Sequence, residues 1–146
     1  RKPRLVPGFF VCGTLKVKYA LLVLASPDKG QANLTAARFA AAVINRGHEL
    51  ERVFFYDSGA QTGLASRVAM QGEPDATALW RELAGSHGVE LVLCVASALR
   101  RGVLDTTEAE RHEKGNATMD PAFTIGGLGL LVEAGASADR LVTFGG

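Results

Sequence analysis

Four short apolar runs constrain this chain more than any other feature of its sequence. Residues 18–26 (KYALLVLAS), 48–57 (HELERVFFYD), 89–96 (VELVLCVA) and 139–145 (DRLVTFG) are each of strand length. The first and third are apolar almost throughout, the pattern of strands buried on both faces of a parallel sheet. The segments between them have helical character. Residues 31–47 carry Leu34, Ala37, Phe39, Ala41, Val43 and Ile44 as a broad apolar face ahead of Gly47. Residues 75–88 run from a capping residue, Asp75, through Leu79, Trp80 and Leu83 to a stop at Gly85 or Gly88. Residues 58–75, rich in glycine and containing Pro74, read as a loop with room for one helical turn. Ser97 reads as the N-cap of a following segment, and 105–115 as a polar helix with an acid-rich first turn. Residues 120–138 begin at Pro121 and become helical around Leu128 to Ala134. The alternation predicts an α/β single domain: a mainly parallel sheet of about four to five strands, helices on both faces, right-handed crossovers. In such sheets functional residues gather at the carboxyl ends of the strands, here ASPDKG, FYDSG and CVASA.

Composition narrows the class. The chain has 146 residues, 47% hydrophobic and 21% charged, which suits one soluble globular domain. Its apolar stretches fall far short of the roughly 20 residues a membrane helix needs. Residues 1 to 18 hold Arg1, Lys2, Arg4, Lys16 and Lys18 and no acid, a charge of +5, whereas the other 11 basic and 15 acidic residues sum to −4. A mildly acidic body argues against a nucleic-acid-binding surface. The basic head lacks a clear cleavage site, and its apolar part runs straight into the first strand. Residues 1–17 therefore read as an extension, upstream translated sequence or a flexible arm, ahead of a domain spanning 18–146. Cys12 lies in the extension and Cys94 in a strand, a poor arrangement for a disulfide. Two cysteines in all fit a reducing, cytoplasmic setting.

Cys94 is the residue on which chemistry would turn. It lies near the carboxyl end of its strand, three residues before Ser97, where a helix N-terminus favours the thiolate and where Arg100 and Arg101 could fold back to add to that. Against this, free cysteine is among the most buried residue types and often fills strands. The histidines give little support to a Cys–His hydrolase: His48 and His87 fall at the amino ends of strands, and His112 on a polar helix. No metal-ligand spacing such as C-x-x-C or H-E-x-x-H occurs. PDKGQAN, after the first strand, lacks both phosphate-loop glycine patterns. GGLGLL (126–131) does not follow one of the predicted strands, so its glycines read as packing devices. Phe54, Phe55 and Tyr56 read as core and strand-end residues.

The block LCVASALRRGVLDTTEAER, together with YALLVLASP, AARFAAAVINRGHELERVFFYDSGA, LWRELAGSHGVELVLCVASALRRGV and FTIGGLGLLVEAGASADRLVTF, resembles the DsrE family of small sulfur-relay proteins, in particular its TusD/DsrE type. The resemblance covers nearly all of residues 18 to 144 and leaves out the extension with Cys12. It implies that Cys94 is the active cysteine, which accepts sulfane sulfur as a persulfide and passes it to another protein thiol, with no metal or organic cofactor. It further implies TusB-like and TusC-like subunits, or DsrF-like and DsrH-like ones, in a heterohexamer. A TusA-like sulfur donor and a TusE-like or DsrC-like acceptor would complete the relay. The implied end use is 2-thiolation of the wobble uridine of tRNA, without direct tRNA binding by this subunit, or dissimilatory sulfur oxidation in the other branch. A small Cys-dependent hydrolase or reductase, and a non-catalytic assembly subunit with a buried Cys94, remain as readings of the residues alone.

Overall fold

The computed structural model describes residues 5–6, 9–10 and 15–145. Two short strands, β1 (Leu5–Val6) and β2 (Phe9–Phe10), pair antiparallel ahead of the main body. The main sheet has five strands: β3 (Lys18–Val23), β4 (Glu49–Phe55), β5 (Glu90–Cys94), β6 (Thr124–Gly126) and β7 (Arg140–Phe144). Their order is β6-β5-β4-β3-β7, and every pairing is parallel. The α/β single domain expected from the four apolar runs is thus present. Its fifth strand, β6, is an addition, since three residues with no apolar run carry no strand pattern.

Topology decides which helices cover which face. From β3 the chain steps to β4, β5 and β6 in one direction, through α1 (Ala32–Asn45), α2 (Ala76–His87) and the short helices α3 (Val95–Arg100) and α4 (Thr106–Arg111). From β6 it returns through α5 (Leu128–Ser137) to β7 on the far side of β3. Right-handed crossovers that run in opposite directions place their helices on opposite faces. The larger core accordingly joins Leu21, Val23, Val53, Phe55, Leu91 and Leu93 of the sheet to Ala36, Ala37, Ala40, Trp80 and Leu83 of α1 and α2. The other face has a much smaller cluster, Phe54, Val92 and Cys94, against which Leu22 and the α5 residues Leu130 and Leu131 pack.

The helix signals behave as their chemistry requires. Asp75 caps α2 by accepting the Ala78 N–H (3.2 Å), and Gly88 ends it at φ 65°, a left-handed conformation that glycine enters at no steric cost. The 58–75 segment does more than loop. Its start forms a 3-10 helix, Asp57–Gly63, which lies so close to β3 that a side chain on Gly59 would overlap the Val23 carbonyl oxygen. No helix among the described residues is long and apolar enough to cross a membrane.

A single buried amide ties these parts together. Asn33, 1% exposed in the first turn of α1, donates from Nδ2 to the Ala25 carbonyl (2.8 Å) and to Thr62 Oγ1 (2.8 Å), and its Oδ1 accepts from Trp80 Nε1 (3.0 Å). The network joins the exit of β3, α1, the 3-10 helix and α2. Each unpaired buried polar group costs about 1–3 kcal/mol. Asn33→Leu strands the Trp80 N–H and the Ala25 carbonyl together, so a loss of about 2–4 kcal/mol is expected. Trp80 is the only tryptophan and is fully buried, so urea unfolding followed by its fluorescence reads this directly. Trp80→Phe should remove part of the penalty when combined with Asn33→Leu, because the orphaned donor goes with it; unfolding of that double variant, which has no tryptophan, is followed by circular dichroism.

Candidate functional site

β5 runs into α3 with no intervening residue. Cys94 is both the last residue of the strand and the N-cap of the helix, at φ −59°, ψ 126°. This corrects the expectation that Ser97 is the cap. Serine is a favoured capping residue, but here the strand ends three residues earlier and Ser97 lies inside α3, 6% exposed. Cys94 shares a face of the sheet with Val92, beside Phe54 of β4, and is 2% exposed. Its thiol makes no capping hydrogen bond. The first N–H groups of α3, which have no intrahelical partner, begin at the next residue, Val95.

The flank of the site comes from the next strand. Phe55 is paired with Leu93, so the exit of β4 emerges alongside Cys94. Phe54 and Phe55 are buried as core residues, whereas Tyr56 is 38% exposed at the edge. Asp57 then takes φ 54°, a left-handed conformation that Asp tolerates better than most residues. Its N–H donates to Ser97 Oγ (2.8 Å), and its carboxylate accepts from Arg101 Nη2 (2.7 Å), while Arg101 Nη1 donates to the Ser97 carbonyl (3.3 Å). Arg101 is therefore directed at Asp57 and the α3 backbone, and Arg100 is exposed. The contribution these arginines could have made by folding back onto the thiol is not seen for Arg101, which is engaged by Asp57 and the Ser97 carbonyl instead. Sequence reasoning missed Asp57 and the role of Ser97; the only signal was an Asp-Ser-Gly turn after an aromatic strand end.

The remaining candidates stand elsewhere. His48 precedes β4 and accepts the Val17 N–H on Nδ1 (3.1 Å), and His87 closes α2, both toward the amino end of the sheet. His112 ends α4, with Nε2 3.3 Å from Glu108 Oε2. No hydrogen bond links a histidine to Cys94 among the described residues. No group of three or more His, Cys, Asp or Glu residues is placed to hold a metal ion among the described residues. PDKGQAN borders a cavity of about 440 Å3, where Arg67 is engaged by Asp28 (2.8 Å), Asp75 (3.5 Å) and Thr77 Oγ1 (2.8 Å). GGLGLL does follow a strand after all: Gly126 ends β6 opposite Cys94, and Gly127 is the N-cap of α5. Cys12 lies outside the described residues.

These contacts rank two substitutions. Ser97→Ala leaves the part-buried Asp57 N–H without its acceptor and is expected to cost about 1–2 kcal/mol. Asp57→Asn keeps the left-handed turn and removes only an ion pair whose carboxylate is 64% exposed, so it should cost less than about 1 kcal/mol. Denaturant unfolding of both variants checks the order; a larger loss for Asp57→Asn would mean the ion pair, not the hydroxyl, holds the edge.

Comparison with known proteins fits this architecture. The model of the DsrE/DsrF-like family matches residues 17–144. Among curated relatives, the chain is 45% identical to a Sulfurtransferase TusD homolog of Pseudomonas aeruginosa, over 89% of this chain and 98% of that one. It is 42% identical to the Sulfurtransferase TusD of Salmonella typhi (88% and 100%). It is also 42% identical to the Putative sulfurtransferase DsrE of Allochromatium vinosum (88% and 99%). The crystal structure of the ychN protein from E. coli shares the fold at a TM-score of 0.71 and 21% identity, covering 88% of this chain and 99% of that one. A family match across nearly the whole sheet domain, with relatives above 40% identity aligned over almost their full length, makes this chain a member of the DsrE/DsrF-like family.

Proposed function

We propose that the chain is a sulfur-relay sulfurtransferase in which Cys94 carries the sulfur. The observation behind this is the position of Cys94, a thiol at the carboxyl end of a central parallel strand and at the start of a helix. It lies within the Cys-Val-Ala-x-Ala-Leu-Arg-Arg-Gly block of a chain whose relatives are named sulfurtransferases. The Cys94 thiolate attacks the outer sulfur of a donor protein's persulfide. The donor S–S bond breaks, a new bond forms from Cys94 Sγ to that sulfur, and the donor leaves as a thiolate that takes up the proton Cys94 gave. An acceptor thiolate then repeats the attack on the Cys94 persulfide. Sulfur moves twice with no net oxidation or reduction. The attacking sulfur must be a good nucleophile as well as ionised, which a strongly stabilised thiolate is not.

The assembly reading is that of a subunit working beside TusB-like and TusC-like chains, with a TusA-like donor and a TusE-like acceptor, toward 2-thiolation of the tRNA wobble uridine. Support comes from the TusD names of the first relatives and from apolar side chains left uncovered on α5 and β7. Leu128 is 50% exposed, Val132 70% and Leu141 46%. Near-equal identity to the DsrE of Allochromatium vinosum keeps a sulfur-oxidation relay with DsrF-like and DsrH-like partners as the second reading.

The test is transfer of radiolabelled sulfur from a persulfidated carrier protein. The wild-type and Cys12→Ser chains should label equally, and Cys94→Ser should fall to the protein-free background while unfolding at the same denaturant concentration. Label retained by Cys94→Ser would remove Cys94 from the role.

A further inference from the structure

We infer that the first turn of α5 is a lid over Cys94, latched by Arg52; the inference rests on Cys94 being the sulfur carrier. A thiol that attacks another protein's persulfide must be reached by that sulfur, yet Cys94 is 2% exposed. Some element must therefore leave it. Three of its surroundings cannot move alone. Phe54, Val92 and Gly126 belong to paired strands of the sheet, α3 starts on Cys94 itself, and α1 and α2 lie on the opposite face. The 3-10 helix packs through Gly63 against Leu93 of the opposite face, which leaves α5, whose Leu130 and Leu131 pack against the Phe54–Val92–Cys94 cluster.

Leu130 occupies a notch made by a missing side chain. Gly126 is paired with Cys94, so any side chain there would stand beside the thiol; a Cβ on Gly126 would overlap Leu130 Cδ1 and come within 2.9 Å of Val92 Cγ1. The glycine thus lets Leu130 close down next to Cys94.

The attachments of α5 are uneven along its length. At the rear, Ala134 is 1% exposed and Ser137 Oγ donates to Glu51 Oε1 (2.7 Å). At the front, Gly127 offers no side-chain cap, the first turn has no acid, Gly129 sits within that turn, and Leu128 is half exposed. Glycine within a helix costs about 1 kcal/mol relative to alanine, so this turn is intrinsically the weakest part of the helix. Among the described residues one side chain is hydrogen-bonded to it: Arg52, only 11% exposed, donates to the Leu130 carbonyl (2.8 Å) and to Glu133 Oε1 (3.0 Å), with Glu90 as its third partner (2.9 Å). Opening is unwinding of Leu128–Leu131 with release of Leu130 from Arg52, while the rear of α5 stays docked.

The experiment is the rate of iodoacetamide alkylation of Cys94 in the folded full chain carrying Cys12→Ser, measured against urea below the unfolding transition. A lid opens locally, so the rate should depend on urea far less steeply than global unfolding does. Arg52→Gln should raise the rate about tenfold or more. Gly129→Ala, whose Cβ meets no atom within 4 Å, should stiffen the turn and lower the rate about 3- to 5-fold. Alkylation at the rate of a free thiol in the starting protein, or a urea dependence equal to that of global unfolding, would overturn the lid, as would a rate unmoved by both substitutions. Because alkylation needs no sulfur, the two ideas fail separately. A lid that behaves as described on a chain that accepts no labelled sulfur defeats the relay reading alone. Labelled sulfur on a chain whose alkylation ignores Arg52 and Gly129 defeats the lid alone.

Discussion

The side chain of Asn33 holds the carboxyl edge of this sheet in place, and the site inherits its geometry from it. Through Thr62 Oγ1, which accepts from Asn33 and donates to the Gly59 carbonyl (2.6 Å), the amide fixes the 3-10 helix that leaves β4. Thr77 Oγ1 fixes the same segment from α2 by donating to the Thr62 carbonyl (3.0 Å). The start of that 3-10 helix is Asp57, whose N–H is held by Ser97 in α3, and α3 begins at Cys94. A line of paired polar groups, buried at Asn33 and Thr62 and part-buried where Asp57 meets Ser97, therefore runs from the core to the helix that carries the thiol at its head. Buried networks of this kind are rigid when every member is satisfied and costly when one is removed.

The opposite face of the sheet is built differently. A crossover that reverses direction puts α5 there, and that helix covers Phe54, Val92 and Cys94 with two leucines. The rigid side of the sheet positions the cysteine; the thin side decides whether anything can reach it. A sulfur carrier needs both properties, since a persulfide left exposed to small thiols loses its sulfur to them.

Much of this was legible in the sequence, for identifiable reasons. β3 and β5 announced themselves because a strand buried on both faces must be apolar almost throughout; β4 and β7 were legible from their length and their apolar stretches, although β7 is a largely exposed edge strand. α2 was legible at both ends because Asp75 and Gly88 answer opposite backbone needs. β6 was not, since Thr124–Gly126 is a three-residue edge strand whose pairing with β5 is set by tertiary contact. Ser97 was misread as a cap because capping preference is local, whereas the end of β5 is fixed by pairing with β4 as far as Leu93 and with β6 at Cys94. Asn33 looked like an ordinary polar residue of an alanine-rich helix, and nothing in its neighbourhood shows that Trp80 lies against it, 47 residues on. Cys94 itself was visible as a cysteine at a strand end. Its burial beneath α5 and the grip of Arg52 on that helix were not, because both depend on which face the last crossover takes.

Where the sulfur sits, and whether it leaves, is the most direct measure of the account. Mass spectrometry of the chain after loading from a persulfidated donor should show a gain of about 32 Da, the mass of one added sulfur. Peptide mapping should place it on Cys94, and adding an acceptor protein with a free thiol should remove it as that acceptor gains the same mass. A gain that maps to Cys12, or a sulfur on Cys94 that no protein thiol can take, would contradict the relay.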